Sequence, residues 1–177
     1  MTTEPRALPA DPSERVRAHF AHVGANAMRD MPLCNPALDV ATVGFFRHGQ
    51  AWVGVLVTPW CMNLMLLPDA DCACERQVGE TQWWTFPSGE YPFIAHRCDS
   101  LGDYQACSLY SPVFEFDSQA YALDVARETL RALMVGGDPE AEAARQREAA
   151  RLEGRSVAEL PVSRRGFLRA VLPGGER

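Results

Sequence analysis

The apolar positions of this chain begin with a helical repeat. Val16, Phe20 and Val23 follow one another at spacings of four and three residues, which places them on one stripe of a helix. Asp11 precedes this stripe, and its side chain can accept hydrogen bonds from the first free backbone amides of a helix. The pattern therefore predicts a helix that begins at about Asp11 and runs to about Arg29.

After residue 38 the apolar pattern changes to the shorter period of strands. Short apolar runs alternate with turns that contain Gly, Pro or Asp, and such spacing is typical of antiparallel hairpins. Parallel strands would need long crossover connections, which this region has no room for. The predicted strands lie at about 38–46, 51–57, 64–67, 82–86, 91–97 and 104–110.

A second helical stripe follows the last strand. Asp117 or Ser118 can cap this helix, and Gly136 with Gly137 ends it. For Asp117, a helix cap is favoured over a role in binding guanidinium groups. We expect an α+β fold in which an antiparallel sheet carries the N-terminal helix and this long helix on one face. The stripe consists of Leu123, Ala126, Leu130, Leu133 and Met134.

The 177 residues suit one compact domain with extensions. We expect a flexible leader at 1–10, a core domain at 11–137 and an exposed C-terminal helical arm at 138–177. Within the arm, residues 140–153 are rich in Ala, Glu and Arg and have little to bury, so they are interpreted as a solvated helical spacer.

Charge is distributed unevenly along the chain. Residues 1–29 carry 4 Arg and 3 acidic residues, 30–138 carry 5 Arg and 14 acidic residues, and 139–177 carry 8 Arg and 6 acidic residues. The body is thus acidic and the C-terminal segment weakly basic. An acidic body argues against nucleic-acid binding, which needs a positive surface, and favours a basic peptide as partner.

The sequence predicts a protein that does not insert into membranes. The longest apolar run, from Trp60 to Leu67, is interrupted by Asn63 and is far shorter than the roughly 20 residues of a membrane span. The N-terminus shows no basic region followed by an apolar stretch. We therefore expect a cytoplasmic location.

Six cysteines raise the question of disulfides or metal. Without an export signal, reduced thiols are the expected state. Cys72 and Cys74 could form a metal or redox pair, but no second pair or histidine cluster accompanies them, and neighbouring acidic residues would raise their thiol pKa values. No metal or cofactor is therefore expected, and a small thiol- or metal-dependent redox protein is the alternative interpretation.

No known catalytic motif is present: there is no GxSxG, P-loop, GxGxxG after a strand, or HExxH. A Cys–His pair assembled from distant positions stays open as an alternative. We expect that the protein is not an enzyme.

Four separated segments carry a resemblance to a known family. They are Met31-Pro-Leu-Cys-Asn-Pro36, Thr58-Pro-Trp-Cys-Met-Asn-Leu-Met65, Trp83-Trp-Thr-Phe-Pro-Ser-Gly-Glu-Tyr91, and the segment from Leu101 to Phe116. Over about residues 14–136 the chain resembles the HybE/HupJ-type nickel–iron hydrogenase maturation chaperones. The resemblance implies a cytoplasmic accessory protein, not an enzyme, associated with the iron–sulfur small subunit precursor. It implies that the twin-arginine signal peptide of that subunit is shielded until assembly is complete, with the large subunit and other maturation proteins as further candidate partners.

A purely structural partner without a peptide groove is another alternative, and the redox alternative would protect iron–sulfur assembly.

These segments also supply candidate peptide-binding residues. A twin-arginine signal presents two guanidinium groups and then an apolar stretch, so its receptor needs carboxylates and an adaptable apolar groove. Methionine suits such a groove because its side chain is flexible and polarizable. Adjacent Trp83 and Trp84 would face opposite sides of a strand, so one of them is expected to be exposed. The predicted site is Trp60, Met62, Asn63, Phe86, Glu90, Tyr91, Tyr104 and Glu115.

The C-terminal segment contains Ser163-Arg-Arg-Gly-Phe-Leu-Arg169, which is similar to the S-R-R-x-F-L-K consensus of a twin-arginine signal. Only a short apolar stretch follows, so it cannot act as an export signal. A short amphipathic tail helix is one interpretation. The other is a self-docking tail that imitates the client signal through Arg164, Arg165, Phe167 and Leu168.

Overall fold

The structure, a computed structural model, describes residues 10–29, 31–69 and 77–136. In this part of the chain one antiparallel sheet of six strands is preceded by one helix and followed by another, which confirms the predicted α+β class. The elements are α1 (Ser13–Ala25), β1 (Ala41–His48), β2 (Ala51–Val57), β3 (Met62–Pro68), β4 (Thr81–Phe86), β5 (Gly89–Cys98), β6 (Gly102–Tyr110) and α2 (Gln119–Met134). Several predicted features lie outside the described residues. They are the leader up to residue 9, the C-terminal arm with its self-docking tail, and Cys72 and Cys74.

The sheet consists of two three-stranded meanders with the strand order β1-β2-β3-β6-β5-β4. Each meander is built from hairpins, and the antiparallel pairing of β3 with β6 joins them. The sheet curls so that its two edge strands approach each other at one end. There His48 Nε2 donates to the Thr85 carbonyl at 3.2 Å, and the His48 ring stacks on Phe86 with ring centroids 4.6 Å apart.

The two helices pack on opposite faces of the sheet, so the expectation that they share one face is wrong. Neighbouring strand residues point to opposite sides. In β2, Val55 belongs to the large core with α2, whereas Leu56 belongs to a smaller core with Val16 of α1. β2 and β3 are apolar on both sides because both of their faces are covered by a helix.

The helix ends differ from two sequence predictions. The N-cap of α2 is Ser118, one of the two predicted caps, whose hydroxyl accepts from the Tyr121 amide at 3.4 Å, so the interpretation of Asp117 as a helix cap is wrong. Asp117 instead accepts a hydrogen bond from the Ser118 hydroxyl at 3.1 Å and is exposed. α1 ends at Ala25, earlier than predicted, where the Asn26 side chain donates to the His22 carbonyl at 2.7 Å.

Candidate functional site

A cleft of about 700 Å³ lies between α1, the segment that follows α1 and the β2–β3 turn. Thioether, aromatic and aliphatic side chains provide most of its lining, and its size is that of an ordinary ligand site. It joins two of the four segments that carried the family resemblance, because residues from both 31–36 and 58–65 line it. The lining residues, called the cleft below, are Arg17, Ala21, Gly24, Met28, Arg29, Met31, Cys34, Asn35, Pro36, Leu38, Asp39, Val40, Pro59 and Trp60.

The β2–β3 turn fixes the position of Trp60 in the cleft. The buried Thr58 hydroxyl accepts from the amides of Trp60 at 3.3 Å and of Cys61 at 2.9 Å, so one side chain closes the whole turn. The Trp60 ring then rests against α1, where a Cβ on Gly24 would lie 3.3 Å from it. The indole therefore forms a firm, half-buried wall of the cleft.

Asn35 is the buried residue that holds the cleft together. Its backbone amide donates to the Pro59 carbonyl at 2.7 Å, and its side-chain amide donates to the carbonyls of Val113 at 2.9 Å and Phe116 at 2.7 Å. Its side-chain oxygen accepts from the Ala37 amide at 2.9 Å. One asparagine thus connects the 31–36 segment to the β2–β3 turn and to the loop after β6.

The charges in the cleft do not match the acidic groove that the sequence suggested. Arg17 forms an ion pair with Glu14 at 2.5 Å, whereas Arg29 and Asp39 have no ion-pair partner among the described residues. With Glu14 paired to Arg17, two guanidinium groups and two carboxylates leave no net charge, so the cleft does not attract a second pair of arginines. The cleft is therefore suited to an apolar segment, as its two methionines also indicate.

Part of the sheet is left uncovered on the α1 side. α1 covers Met65 and Ala106, but Ile94, which pairs with Ala106, is 39% exposed. Trp83 is 49% exposed, while Trp84 points to the other side and donates from Nε1 to the Gln105 side-chain oxygen at 2.9 Å. The expectation that one of the two tryptophans is exposed is confirmed. This uncovered surface of β4 and β5, called the open sheet face, comprises Thr81, Trp83, Thr85, Glu90, Pro92 and Ile94.

Four of the predicted site residues lie in or beside these two surfaces. Trp60 lines the cleft, and Glu90 is exposed on the open sheet face, where its carboxylate accepts from the Thr85 hydroxyl at 3.3 Å. Half-buried Asn63 donates to the Cys61 sulfur at 3.4 Å. Half-buried Tyr104 lies between α1 and the open sheet face, and burial, followed by nearby Cys98 and Cys61, raises the pKa of its hydroxyl.

The exposed predicted residue Glu115 lies near the base of the cleft. It precedes Phe116, whose carbonyl accepts from Asn35. Burial is the main cause that raises the pKa of the Tyr110 hydroxyl, and the Glu115 charge is the next. Neither Glu90 nor Glu115 has an ion-pair partner among the described residues. Both carboxylates are therefore free to accept hydrogen bonds from an incoming guanidinium group.

Three other predicted residues are part of the main core and offer no free surface. Met62 is fully buried, and Phe86 and Tyr91 are buried with it on the α2 side of the sheet. Phe86 and Tyr91 directly follow the exposed strand residues Thr85 and Glu90, so the alternation of side chains along the strand decides which side they face. They can support the site from behind, but they do not line an open groove.

Sequence reasoning missed the cleft residues that precede β1. Met28, Met31 and Asn35 were not predicted as site residues, although the 31–36 segment carried part of the family resemblance. The available signal was an asparagine between two prolines, in a segment with neither helical nor strand periodicity. Its partners lie about 80 positions away, and no pattern within one segment indicates them.

Cysteine chemistry has little support in the described part of the chain. Cys34, Cys61, Cys98 and Cys107 are free thiols there, and no group of three or more potential metal ligands occurs among the described residues. Cys98 lies 4.0 Å from His19 Nδ1, but that nitrogen is 2.6 Å from the Ser100 hydroxyl. The described helices include none that is long and apolar enough to cross a membrane.

Comparison with known proteins agrees with this architecture. A family model described as "[NiFe]-hydrogenase assembly, chaperone, HybE" matches residues 11–170. The hydrogenase expression/formation protein HupJ of Bradyrhizobium diazoefficiens is 37% identical over 153 residues, which cover 86% of this chain and 84% of that protein. The probable rubredoxin HupJ of Rhodobacter capsulatus is 42% identical over 114 residues, covering 64% of this chain but 41% of that protein.

A solved structure shows the same fold. The solution structure of HybE from Escherichia coli matches with a TM-score of 0.60 and 25% identity, covering 76% of this chain and 83% of that chain. The family match spans most of the sequence and the structural match spans the sheet with its helices. The chain belongs to the HybE family of nickel–iron hydrogenase assembly chaperones.

Proposed function

We propose that this chaperone binds the precursor of the iron–sulfur small subunit and shields its twin-arginine signal peptide in the cytoplasm before export. The observation that carries the proposal is the mainly apolar, methionine-containing cleft, together with an exposed sheet surface whose carboxylate has no ion-pair partner among the described residues. Flexible thioether side chains accept apolar sequences of different shape, as signal peptides require. The large subunit and other maturation proteins are further proposed partners.

The two surfaces suit the two halves of such a peptide. The apolar stretch enters the cleft between Met31 and Trp60, where the charged groups balance and do not attract the arginine pair. The arginine pair lies over the open sheet face, within reach of Glu90 and of the ring of Trp83, which can also hold a guanidinium group by cation–π attraction.

The distance between the two surfaces fits this arrangement. Asn63 on β3 and Trp83 on β4 are three strand positions apart in the sheet, which corresponds to roughly 14 Å. About four residues of extended chain cover that distance. An extended peptide of this length therefore reaches from Trp83 to Asn63 near the start of β3, three residues after the cleft residue Trp60.

A pair of methionine variants tests the proposal. Met31 is 43% exposed in the cleft, and Met134 is 40% exposed at the end of α2 on the opposite side of the sheet. Met31→Glu places a charge in the cleft and should weaken binding of a fluorescent small-subunit signal peptide at least about tenfold. Met134→Glu adds the same charge elsewhere and should leave the affinity unchanged. Equal affinities for both variants would contradict the placement of the peptide in the cleft.

A further inference from the structure

The C-terminal segment leaves the described part of the chain beside the proposed peptide site. A Cβ on Gly136 would lie 3.7 Å from the carbonyl oxygen of Pro87, and the Ser88 amide donates to the Leu133 carbonyl at 3.3 Å. Pro87 and Ser88 form the β4–β5 turn, and Glu90 follows two residues later. The remaining residues, 137–177, thus start at the rim of the open sheet face.

This segment contains the chemistry that the proposed site would recognise. Arg164 and Arg165 are followed, after one glycine, by Phe167 and Leu168. In this segment the two guanidinium groups come before the apolar side chains. A chain that starts at the β4–β5 turn likewise meets Glu90 before the cleft. The charges are also complementary, because residues 139–177 have 8 Arg and 6 acidic residues whereas 30–138 have 5 Arg and 14 acidic residues.

We infer that residues 163–169 occupy the signal-peptide site of their own chain and compete with the client. The identity of the shared site rests on the proposed function. Arg164 and Arg165 lie toward Glu90, and Phe167 and Leu168 enter the cleft. A chain of about 26 residues, from 137 to 162, bridges roughly 30 Å even as a flexible coil, so the segment reaches both surfaces.

Tethering makes weak docking sufficient for regulation. A short flexible tether gives an effective concentration near the millimolar range. A segment with a dissociation constant of about 0.1 mM would then fill the site about nine-tenths of the time and lower the apparent client affinity about tenfold. The client signal peptide must bind more tightly than this internal competitor, so the segment sets the lowest affinity with which a client can displace it.

Photo-crosslinking in the full chain tests the docking without any client. Phe167→benzoylphenylalanine should cross-link to residues 28–40 or to Trp60, at a yield that does not change on dilution. The same amino acid at Leu152 is the matched control and should not select the cleft. Cross-links from position 167 that miss the cleft, or that vanish on dilution because they join two copies, would overturn the inference.

Charge reversal in the full chain tests the competition. Arg164→Glu with Arg165→Glu should tighten binding of a small-subunit signal peptide about tenfold. Arg151→Glu with Arg155→Glu makes the same charge change before the motif and should leave affinity unchanged. If every variant binds the client equally well, the inference fails and the proposed function stands. If no variant binds the client while position 167 still cross-links to the cleft, the proposed function fails and the docking stands.

Discussion

At the scale of single residues, the proposed peptide site depends on polar side chains that are not themselves exposed. Asn35 and Thr58 are buried, and each satisfies several backbone groups that the two loops would otherwise leave unpaired. Without them the Pro59-Trp60 turn and the 31–36 segment would have no fixed relation. Their role is to hold the apolar walls of the cleft at a constant separation.

Asn35→Ala should therefore lower the free energy of unfolding by about 2–4 kcal/mol, because two buried carbonyl groups lose their donors. Urea unfolding followed by circular dichroism measures this change. Asn26→Ala, which removes an exposed asparagine at the end of α1, should cost less than about 1 kcal/mol. Similar costs for both variants would show that Asn35 does not connect the loops as described.

The pH dependence of stability offers a second test at this scale. His96 is half-buried and stacks on Tyr104 with ring centroids 5.2 Å apart, and burial lowers its pKa. The unfolded chain therefore takes up a proton on His96 before the folded protein does, so stability falls as pH decreases through the usual histidine range. An NMR titration should place the His96 pKa below its usual value, and His96→Gln should reduce the loss of stability between pH 7.5 and 5.5. A His96 pKa at or above the usual value would contradict this account.

At the scale of elements, the strands were predictable from the sequence, but the sequence did not indicate which helix covers which face of the sheet. Turns such as those around Gly49 and Pro87, together with the apolar runs that precede and follow them, indicated all six strands. The continuous apolar run of β2 can be explained by burial on both sides, yet no local pattern indicates which helix covers which side. Trp60 and Glu90 were predicted as site residues from their neighbours and lie at accessible surfaces, but Met62 has equally suitable neighbours and faces the core. Trp60 lies in the turn before β3, whereas Met62 is the first residue of β3 and its side chain points into the core.

The packing of β1 on β2 gives a prediction for these elements. A Cβ on Gly54 would overlap the ring of Phe45, so Gly54→Ala should destabilise the protein by about 1–3 kcal/mol. Thermal or urea unfolding measures the effect. Combining it with Phe45→Ala should cost less than the sum of the two single variants, because the overlap is then absent. Additive costs would mean that the contact with Phe45 is not the cause.

The open sheet face gives a prediction for binding. Glu90→Arg should weaken signal-peptide binding about three- to tenfold at low salt without unfolding the domain, and the effect should shrink as salt is added. Glu128→Arg on α2, where Glu128 pairs with Arg131 at 3.6 Å, makes the same charge change on an exposed helix surface. Fluorescence anisotropy at two salt concentrations compares them. Parent-like affinity of the Glu90 variant would remove this carboxylate from the site.

At the scale of the whole molecule, we propose separate roles for the acidic body and the mainly apolar cleft. The net charge of the body favours encounter with a basic signal peptide over long distances. We propose that the cleft then selects the apolar part, because its lining is mainly apolar and its charged groups balance. Composition alone predicted the first role, but not the second, because the residues of the cleft come together only when 28–40 folds against the β2–β3 turn.

The most direct test of the central claim compares two forms of the client. The affinity of the full chain for a hydrogenase small subunit should be measured with the signal peptide attached and with it removed. We expect removal to weaken binding at least about tenfold, and the free signal peptide to compete with the precursor. Equal binding of both forms, with no competition by the free peptide, would contradict a chaperone that holds its client by the signal peptide.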